Sequence, residues 1–345
     1  MVYAYDFHPT SAKQYYVEFA EESVLGTFPT NPALKWVGAI NNFVDESKIK
    51  TDTKSALGDS AATDRVMSFR NVKFGEEVGF TMDFEPQKTH LQKMLTYPLG
   101  GNAAAVTTVD DSLTSLSFAM VDAAPTDWHN PNNAATLISG AVCEEMTLTI
   151  PIDNAATIKS KWVGTKRAFS TVTSYLGTGS HAVDVGTDGV SHSEVSKVYL
   201  RKSRETPTAW GSTTILTDAI DEIEIKIANK IALPLDFNTA TATKIKSAVL
   251  LSRKLTLGMN ITYADITAGS ETDALTIQNI NDFTPYDVRM TIDGYVYTFS
   301  GVRFPELPYK AGPEDLIGDK ITSLPISGIY EGSTWCPPLA IAVSG

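Results

Sequence analysis

Residues 221–228 read DEIEIKIA, and the fold follows from the way these eight residues alternate. Ile223, Ile225 and Ile227 take every second place, and Glu222, Glu224 and Lys226 take the places between. Successive side chains of a strand point to opposite faces, so the stretch has one apolar face and one charged face. A strand of this kind belongs to a sheet buried on one side and wet on the other. What the wet side faces is the functional question.

The same period of two recurs along the chain. Phe80, Met82 and Phe84 alternate in VGFTMDF, Leu116, Phe118 and Met120 in LTSLSFAM, and Met146, Leu148, Ile150 and Ile152 in EEMTLTIPI. Further on come LTLGMNITY, VRMTI and YVYTFSGVRF, and the runs are bounded by Gly, Pro, Asp or Asn, the punctuation expected of strands. Helical spacing is clear only in THLQKMLTYPLGG, where Leu91, Met94 and Leu95 precede the stop signals Pro98 and Gly100, which predicts a short helix over 89–96. LTIQNINDF, 275–283, fits helix or strand. The expected class is mainly β with one short flanking helix.

A chain of 345 residues with 43% hydrophobic content has enough apolar material for two cores of ordinary size, since single cores stop growing at about 250–300 residues. Its 28 Lys+Arg against 40 Asp+Glu give a formal net charge of -12, which opposes tight binding of phosphate backbones. Cys143 and Cys336 are too few for a disulfide scaffold and lack paired ligand spacing; they read as a buried thiol and a tail thiol, and cytosol is the favoured compartment. The opening MVYAYDFHPT has neither the basic start nor the apolar core of a signal peptide, and no stretch reaches the ~20 apolar residues of a membrane helix. A soluble product made without export, with no membrane partner, is the expectation.

An internal repeat organises these strands. VGFTMDF (78–84) and LGMNITY (257–263) share a Gly in second place, LSFAM (116–120) corresponds to VRMTI (288–292), and LISGAV (137–142) to TFSGVR (298–303), in the same order. The reading is a duplicated β module, over 1–175 and 195–345, with the Gly-, Ser-, Thr- and Asp-rich 176–194 as linker or hairpin. Two stretches, 45–64 and 229–244, read as long irregular loops in equivalent places, and loops of that length are usually functional.

No constellation for catalysis or metal binding emerges. His8, His90, His129, His181 and His192 are scattered and read as solvated or loop histidines. GTGSHAVDVG lacks the strand, later glycines or Lys, and helix of a phosphate cradle. Asp184, Asp188 and Gly189 lack the remaining ligands of a calcium loop. Glu144 and Glu145, like Glu314 and Asp315, are adjacent and point to opposite faces of a strand, which does not make an acid/base pair. The Asn260-Ile261-Thr262 sequon falls inside a strand. WHNPNN, 128–133, has the aromatic and amide groups of a sugar-binding loop, but Pro131 and Asn turn chemistry explains it. No catalytic residue, metal or cofactor is expected. A carbohydrate-binding, lectin-like β-sandwich and a secreted hydrolase stand as the alternatives.

The stretch YVEFAEESVLGTFPTNPALKWVG, 16–38, resembles the opening of the major tail tube proteins of long-tailed (siphovirus-like) bacteriophages and archaeal tailed viruses, which carry a Glu, a Gly-Thr and spaced prolines there. Here these are Glu22, Gly26, Thr27, Pro29 and Pro32. The resemblance continues through LTSLSFAM, SGAVCEEMTLTIP, DEIEIKIANKI and SGVRFPELPY. It implies β-sandwich or half-barrel modules whose rings stack into the tail tube of a virion, made in the host cytoplasm, around a channel through which DNA passes without specific binding. It also implies a tape measure protein and tail-end proteins as partners. In a duplicated chain three copies close a pseudo-sixfold ring; a single module with insertions closes as a hexamer. Glu222, Glu224 and Lys226, with Asn41 and Asn42, are then the candidates for the lumen. Asp45, Glu46, Lys48, Lys50, Asp52, Lys54, Asp59, Asp64, Asn229 and Asp236 are those for the loops between rings. Fixed negative charge on such a wall would keep phosphates from lodging.

Overall fold

A computed structural model describes residues 15–29, 34–57, 67–100, 113–122, 134–171, 189–203, 210, 214–215, 220–236, 244–245, 247–261, 282–305 and 320–343. The first half supplies β1 (Tyr15–Glu21), β2 (Lys35–Trp36), β3 (Gly38–Asp45), β4 (Lys48–Leu57), β5 (Met67–Pro86), α1 (Lys88–Thr96), β6 (Leu116–Asp122), β7 (Ala134–Pro151), β8 (Thr157–Gly164) and β9 (Lys166–Thr171). The second supplies β10 (Val195–Lys202), β11 (Thr214–Ile215), β12 (Ile220–Ala232), β13 (Leu235–Asp236), β14 (Lys244–Ile245), β15 (Val249–Ile261), β16 (Tyr286–Ile292), β17 (Tyr295–Val302), β18 (Lys320–Thr322), β19 (Ile329–Glu331), β20 (Thr334–Cys336) and β21 (Leu339–Val343). The described chain is mainly β, with antiparallel pairing and one short α-helix.

One strand organises the rest. The first part of β7, 134–141, pairs with β6 on one edge and β9 on the other; its second part, 142–151, pairs with β8 and β12. Gly140 makes the corner at φ +64, and the β7·β8 register shifts between Cys143 and Glu145, a bulge that bends the strand from one layer into the other. The layers meet through aromatic rings. Phe118 of β6 stands edge-on to Phe80 of β5 and to Trp162 of β8, with centroids 5.1 and 5.0 Å apart. Trp162 satisfies its indole N–H on Ser160 Oγ at 2.9 Å, which accounts for a serine at a core position.

The period of two appears as lateral rows. Phe43, Met82, Ser160, Met146, Ile227 and Leu255 lie opposite one another across β3, β5, β8, β7, β12 and β15 on the core side. The next row on the wet side reads Asn42, Asp83, Lys159, Thr147, Lys226 and Thr256. The DEIEIKIA strand is thus β12, with Ile223, Ile225 and Ile227 buried.

The strand order β2-β1-β6-β7-β9 of the first half recurs as β11-β10-β16-β17-β21 in the second, and β3-β5-β8 recurs as β12-β15-β18. The registers agree in detail. Glu21 faces Leu116 as Lys202 faces Tyr286, and the ladder then shifts between Leu116 and Phe118 as it does between Tyr286 and Val288. Gly140 and Gly301 sit beside those shifts, both at positive φ. Gly79 and Gly258 also occupy matching places, but LSFAM and VRMTI are offset by two, since Leu116 takes the place of Tyr286 rather than Val288. The two halves share one buried cluster running from Val17 to Ile341 and, through β7 and β12, one sheet.

Several expectations change. The stretch 45–64 is not an irregular loop up to Leu57: β4 pairs with the first part of β5, and Asp45 opposite Phe80 and Lys48 opposite Glu77 continue one register. Charges alternate there with Ile and Thr, a strand pattern without the apolar run that marks a core strand. Beyond Val78, where β8 ends its pairing, β4 and β5 project as a two-stranded arm. Its ten β4 residues extend about 33 Å at the usual rise per residue. Asn229 is also not in a loop, since β12 runs on to Ala232. The end of the 176–194 linker is bound to the first half, where Gly189 bridges to Gln87, Ser191 to Ala155, and Val190 is buried. WHNPNN, Asp59, Asp64, Asp184, Asp188, Glu314, Asp315, His8, His129 and His181 lie outside the described residues, as do 176–188 of the linker and nearly all of 275–283.

The helix falls where the spacing predicts it, with Leu91, Met94 and Leu95 buried and a turn at Tyr97–Leu99 ending on Gly100 at φ +83. A Cβ at Gly140 would stand 2.1 Å from Thr165 Oγ1 and 2.9 Å from its Cβ, in backbone that disfavours L side chains. Gly140→Ala is expected to cost about 2 kcal/mol or more in urea unfolding. Gly79→Ala, whose added carbon would meet nothing closer than 3.5 Å, should stay within about 1 kcal/mol of the parent.

Candidate functional site

The wet face of the β3-β5-β8-β7-β12-β15 sheet gathers residues that the sequence singles out separately. Asn42 and Lys226 share the row given above, four strands apart, or roughly 19 Å at usual strand spacing. Asn41 is exposed beside them, at the register shift in β3. Glu222 and Glu224 lie on the same face of β12 as Lys226 and are half-buried.

Charges on this face are tied to one another. Lys226 Nζ donates to Glu145 Oε1 of β7 at 2.8 Å, across the seam between the halves. Lys320 of β18 reaches over β15 to Glu224 Oε2 at 2.6 Å and Glu222 Oε1 at 3.1 Å. Gly258 makes that passage possible, because a Cβ there would meet Lys320 Cε at 3.0 Å and Glu224 Cβ at 3.3 Å. Partial burial pulls the Lys320 amine down, and its bonds to Glu224 and Glu222 outweigh that and hold it above the usual lysine range. Lys161 of β8 is raised by its bond to Glu144, 2.9 Å away. The face is therefore mixed in sign and not uniformly acidic.

Glu144 and Glu145 correct the alternation rule applied to them. The bulge after Cys143 inserts an extra residue, so neither is buried and each finds a lysine, Glu144 on β8 and Glu145 on β12. Lys161 and Lys320 escaped the sequence reading, and Glu145 was weighed there only as half of an acid/base pair, because their roles on this face come from strand neighbours distant in the chain.

Beneath the seam lies Asn229. Buried, it donates from Nδ2 to Pro98 O and Cys143 O, both at 2.9 Å, and accepts from Arg253 Nε at 2.9 Å. It joins the end of the helical segment, the β7 corner and β15, which is a structural role in place of the one expected between rings. Among the other candidates of that class, Asp45, Glu46 and Lys48 are exposed at the root of the arm, while Lys50, Asp52 and Lys54 are in β4 and Asp236 in β13. Burial raises Asp45, but its bonds with Ser47 and Arg167 prevail and hold it below the usual range.

Each β corner also encloses a carboxylate: Glu22, which the sequence singles out only through the resemblance, and Asp287, which it did not reveal. In the first half Glu22 accepts from Gly140 N at 2.7 Å, Gly26 N at 2.9 Å and the Ser117 hydroxyl. In the second, Asp287 accepts from Gly301 N at 3.2 Å, the Ser203 hydroxyl and Arg201, whose guanidinium also reaches Glu331 at 3.3 Å. By register Glu22 matches Ser203 and Ser117 matches Asp287, so acid and serine exchange places around the same glycine. These acceptors are occupied by backbone and side-chain donors, and burial pushes the nearby Cys336 thiol up, away from thiolate. His90, expected in a loop or solvent, is buried in α1 with Nδ1 2.9 Å from Trp36 O. Among the described residues no group of three His, Cys, Asp or Glu is arranged to hold a metal ion, and no helix is long and apolar enough to cross a membrane. No protein-family model matches the chain, and no curated protein matches it.

Two outcomes are expected. Asn229→Leu leaves the carbonyls of Pro98 and Cys143 without their donor and should cost about 2–3 kcal/mol in chemical unfolding; Lys226→Ala, at a half-exposed pair, should cost less than about 1 kcal/mol. Glu18 of β1 is fully buried, and burial pushes its carboxyl up from 4.5 to about 8. The folded value exceeds the unfolded one, so the contribution of Glu18 to stability is full below about pH 4.5 and is lost as pH rises to about 8, by on the order of 3–5 kcal/mol. Glu18→Gln should flatten that slope in melts recorded from pH 5 to 9.

Proposed function

We propose that this chain is the subunit of a tube: a structural protein of two β modules of one plan, whose rings stack into the tail tube of a long-tailed virus and form a channel for DNA. The observation that carries the reading is the repeated strand order, β2-β1-β6-β7-β9 and β11-β10-β16-β17-β21, with the modules fused edge to edge by β7 and β12. In this reading a fused pair is one arc of the ring. It presents a junction already made at its centre, and a heterologous junction repeated head to tail generates a ring when the rotation closes. Three fused pairs supply the six modules of a pseudo-sixfold ring.

The other features fit this role. The β4–β5 arm extends well past the sheet and carries both signs of charge at its root, a suitable contact for the next ring. The wet face, with Glu222, Glu224, Lys226, Asn41 and Asn42, is the candidate channel wall. Its carboxylates are offset by lysines, so a passing phosphate meets neither a strongly basic nor a strongly acidic surface. The tape measure protein and the proteins of the tail ends are the expected partners, and the virion tail the expected location.

Electron microscopy of the purified chain tests the reading. Rings or tubes of uniform width, with three chains per ring and superposable halves, are expected; six chains per ring would break the fusion reading, and a chain that stays monomeric at high concentration would overturn the tube itself.

A further inference from the structure

β12 is held on both sides, by β15 and β7, whereas β3, in the corresponding place of the first half, pairs among the described residues with β5 alone. The correspondence can be followed residue by residue. Glu46 donates its backbone N–H to Gly79 O at 2.8 Å, and Glu224 lies opposite Gly258. Lys48 lies opposite Glu77 as Lys226 lies opposite Thr256. The order Glu-x-Lys-Ile, at 46–49 and 224–227, thus runs along the same stretch of two equivalent hairpins. In the second half that stretch is the one docked on β7, over 222–228. In the first half Val44, Asp45, Glu46 and Lys48 are exposed, Val44 at 44%.

We propose that the edge at 44–50 is a docking strand for a second copy of this chain, which adds to it from its C-terminal half just as β7 adds to β12 within the chain. The proposal rests on the ring reading and states where the ring closes. An antiparallel edge offers main-chain donors and acceptors to any strand; the internal seam identifies which strand this fold accepts, one from the neighbouring module. Charge points the same way. Lys226 crosses the internal seam to a carboxylate on the strand it docks against, and Lys48 stands in its place with its side chain exposed. Asp45, which replaces Ile223 in this alignment, is drawn aside by Arg167 at 2.6 Å, so docking buries no unpaired carboxylate at that point.

Strand alternation provides the test. Because Glu46 directs its N–H to β5, Asp45 directs its own to the outer edge. Asp45→Pro removes that outer donor without removing a β3·β5 hydrogen bond, a change edge strands tolerate. Asp45→Ala removes the Arg167 ion pair and the bond that the Asp45 carboxylate accepts from Ser47 N–H, both of which proline removes as well, and keeps the donor. In sedimentation and electron microscopy the parent and Asp45→Ala should assemble, while Asp45→Pro should remain a single 37.3 kDa chain with the parent's far-ultraviolet circular dichroism. If the parent does not assemble, both the ring and the docking edge are overturned; if parent and Asp45→Pro assemble alike, the ring stands and the docking edge is overturned. Should Asp45→Pro lose its fold, hydrogen exchange on the parent decides: backbone amides of 43–49 should exchange more slowly in assemblies than in dilute single chains, and unchanged exchange there overturns the proposal.

Discussion

The corner in β7 is the constraint on which the rest of the molecule depends. A strand that pairs with β6 and β9 in its first part and with β8 and β12 in its second must turn between layers without exposing main-chain polar groups to the core. It does so with a glycine at positive φ whose N–H is taken by a carboxylate, followed by a bulge that turns Glu144 and Glu145 outward. The layers on either side can then close over Phe80, Phe118 and Trp162, and the free edge of the second part can accept β12. Without that corner the halves would have neither a common sheet nor a common core.

The carboxylate at the corner explains how two halves with little sequence in common keep one geometry. What the glycine N–H requires is an acceptor, and what a half-buried acceptor requires is further donors. Glu22 with Ser117 meets both needs in the first half, and Asp287 with Ser203 meets them in the second, from exchanged strands. The exchange is possible because the two positions lie diagonally across neighbouring strands, Ser117 opposite Ala20 and Asp287 opposite Arg201, and their side chains are hydrogen-bonded in both halves, so either can carry the charge. Asp287 is buried more deeply than Glu22 and has the Arg201 guanidinium as its counter-ion, itself stacked 4.1 Å above Trp210.

On the wet face, the same strand order distributes charge differently from what net composition suggests. Acidic residues outnumber basic ones across the chain, yet on this sheet Lys161 and Lys226 each lie on a carboxylate of a neighbouring strand, and Lys320 reaches across β15 to two on β12. Such half-exposed pairs contribute little stability singly. Their effect is to set the electrostatic character of the surface and to mark the seam, where Lys226 and Glu145 come from different halves.

Sequence by itself determined the elements whose pattern is local. The alternation of DEIEIKIA, VGFTMDF and EEMTLTIPI decided the strands and their buried faces, except that Ile152, read on the face of Met146, Leu148 and Ile150, lies past the end of β7 and is exposed; the spacing of Leu91, Met94 and Leu95 decided the helix, because burial of one face imposes a period on each segment independently. The Gly79/Gly258 and Gly140/Gly301 correspondences were legible for the same reason, each glycine being required by its own backbone. Tertiary structure alone decided everything that depends on which strand lies beside which. It turned 48–57 from a loop into an arm strand, since mixed polar alternation becomes a strand only when β5 is there to pair with it. Asn229 became a buried anchor, since its partners at Pro98, Cys143 and Arg253 are brought together by the fold; Lys320 was set over Gly258 onto Glu222 and Glu224; and Glu22 was matched with Asp287 across an exchange that no alignment of like residues would detect. Periodicity is written residue by residue, whereas a hydrogen bond between strands more than eighty positions apart is decided only when the whole sheet closes.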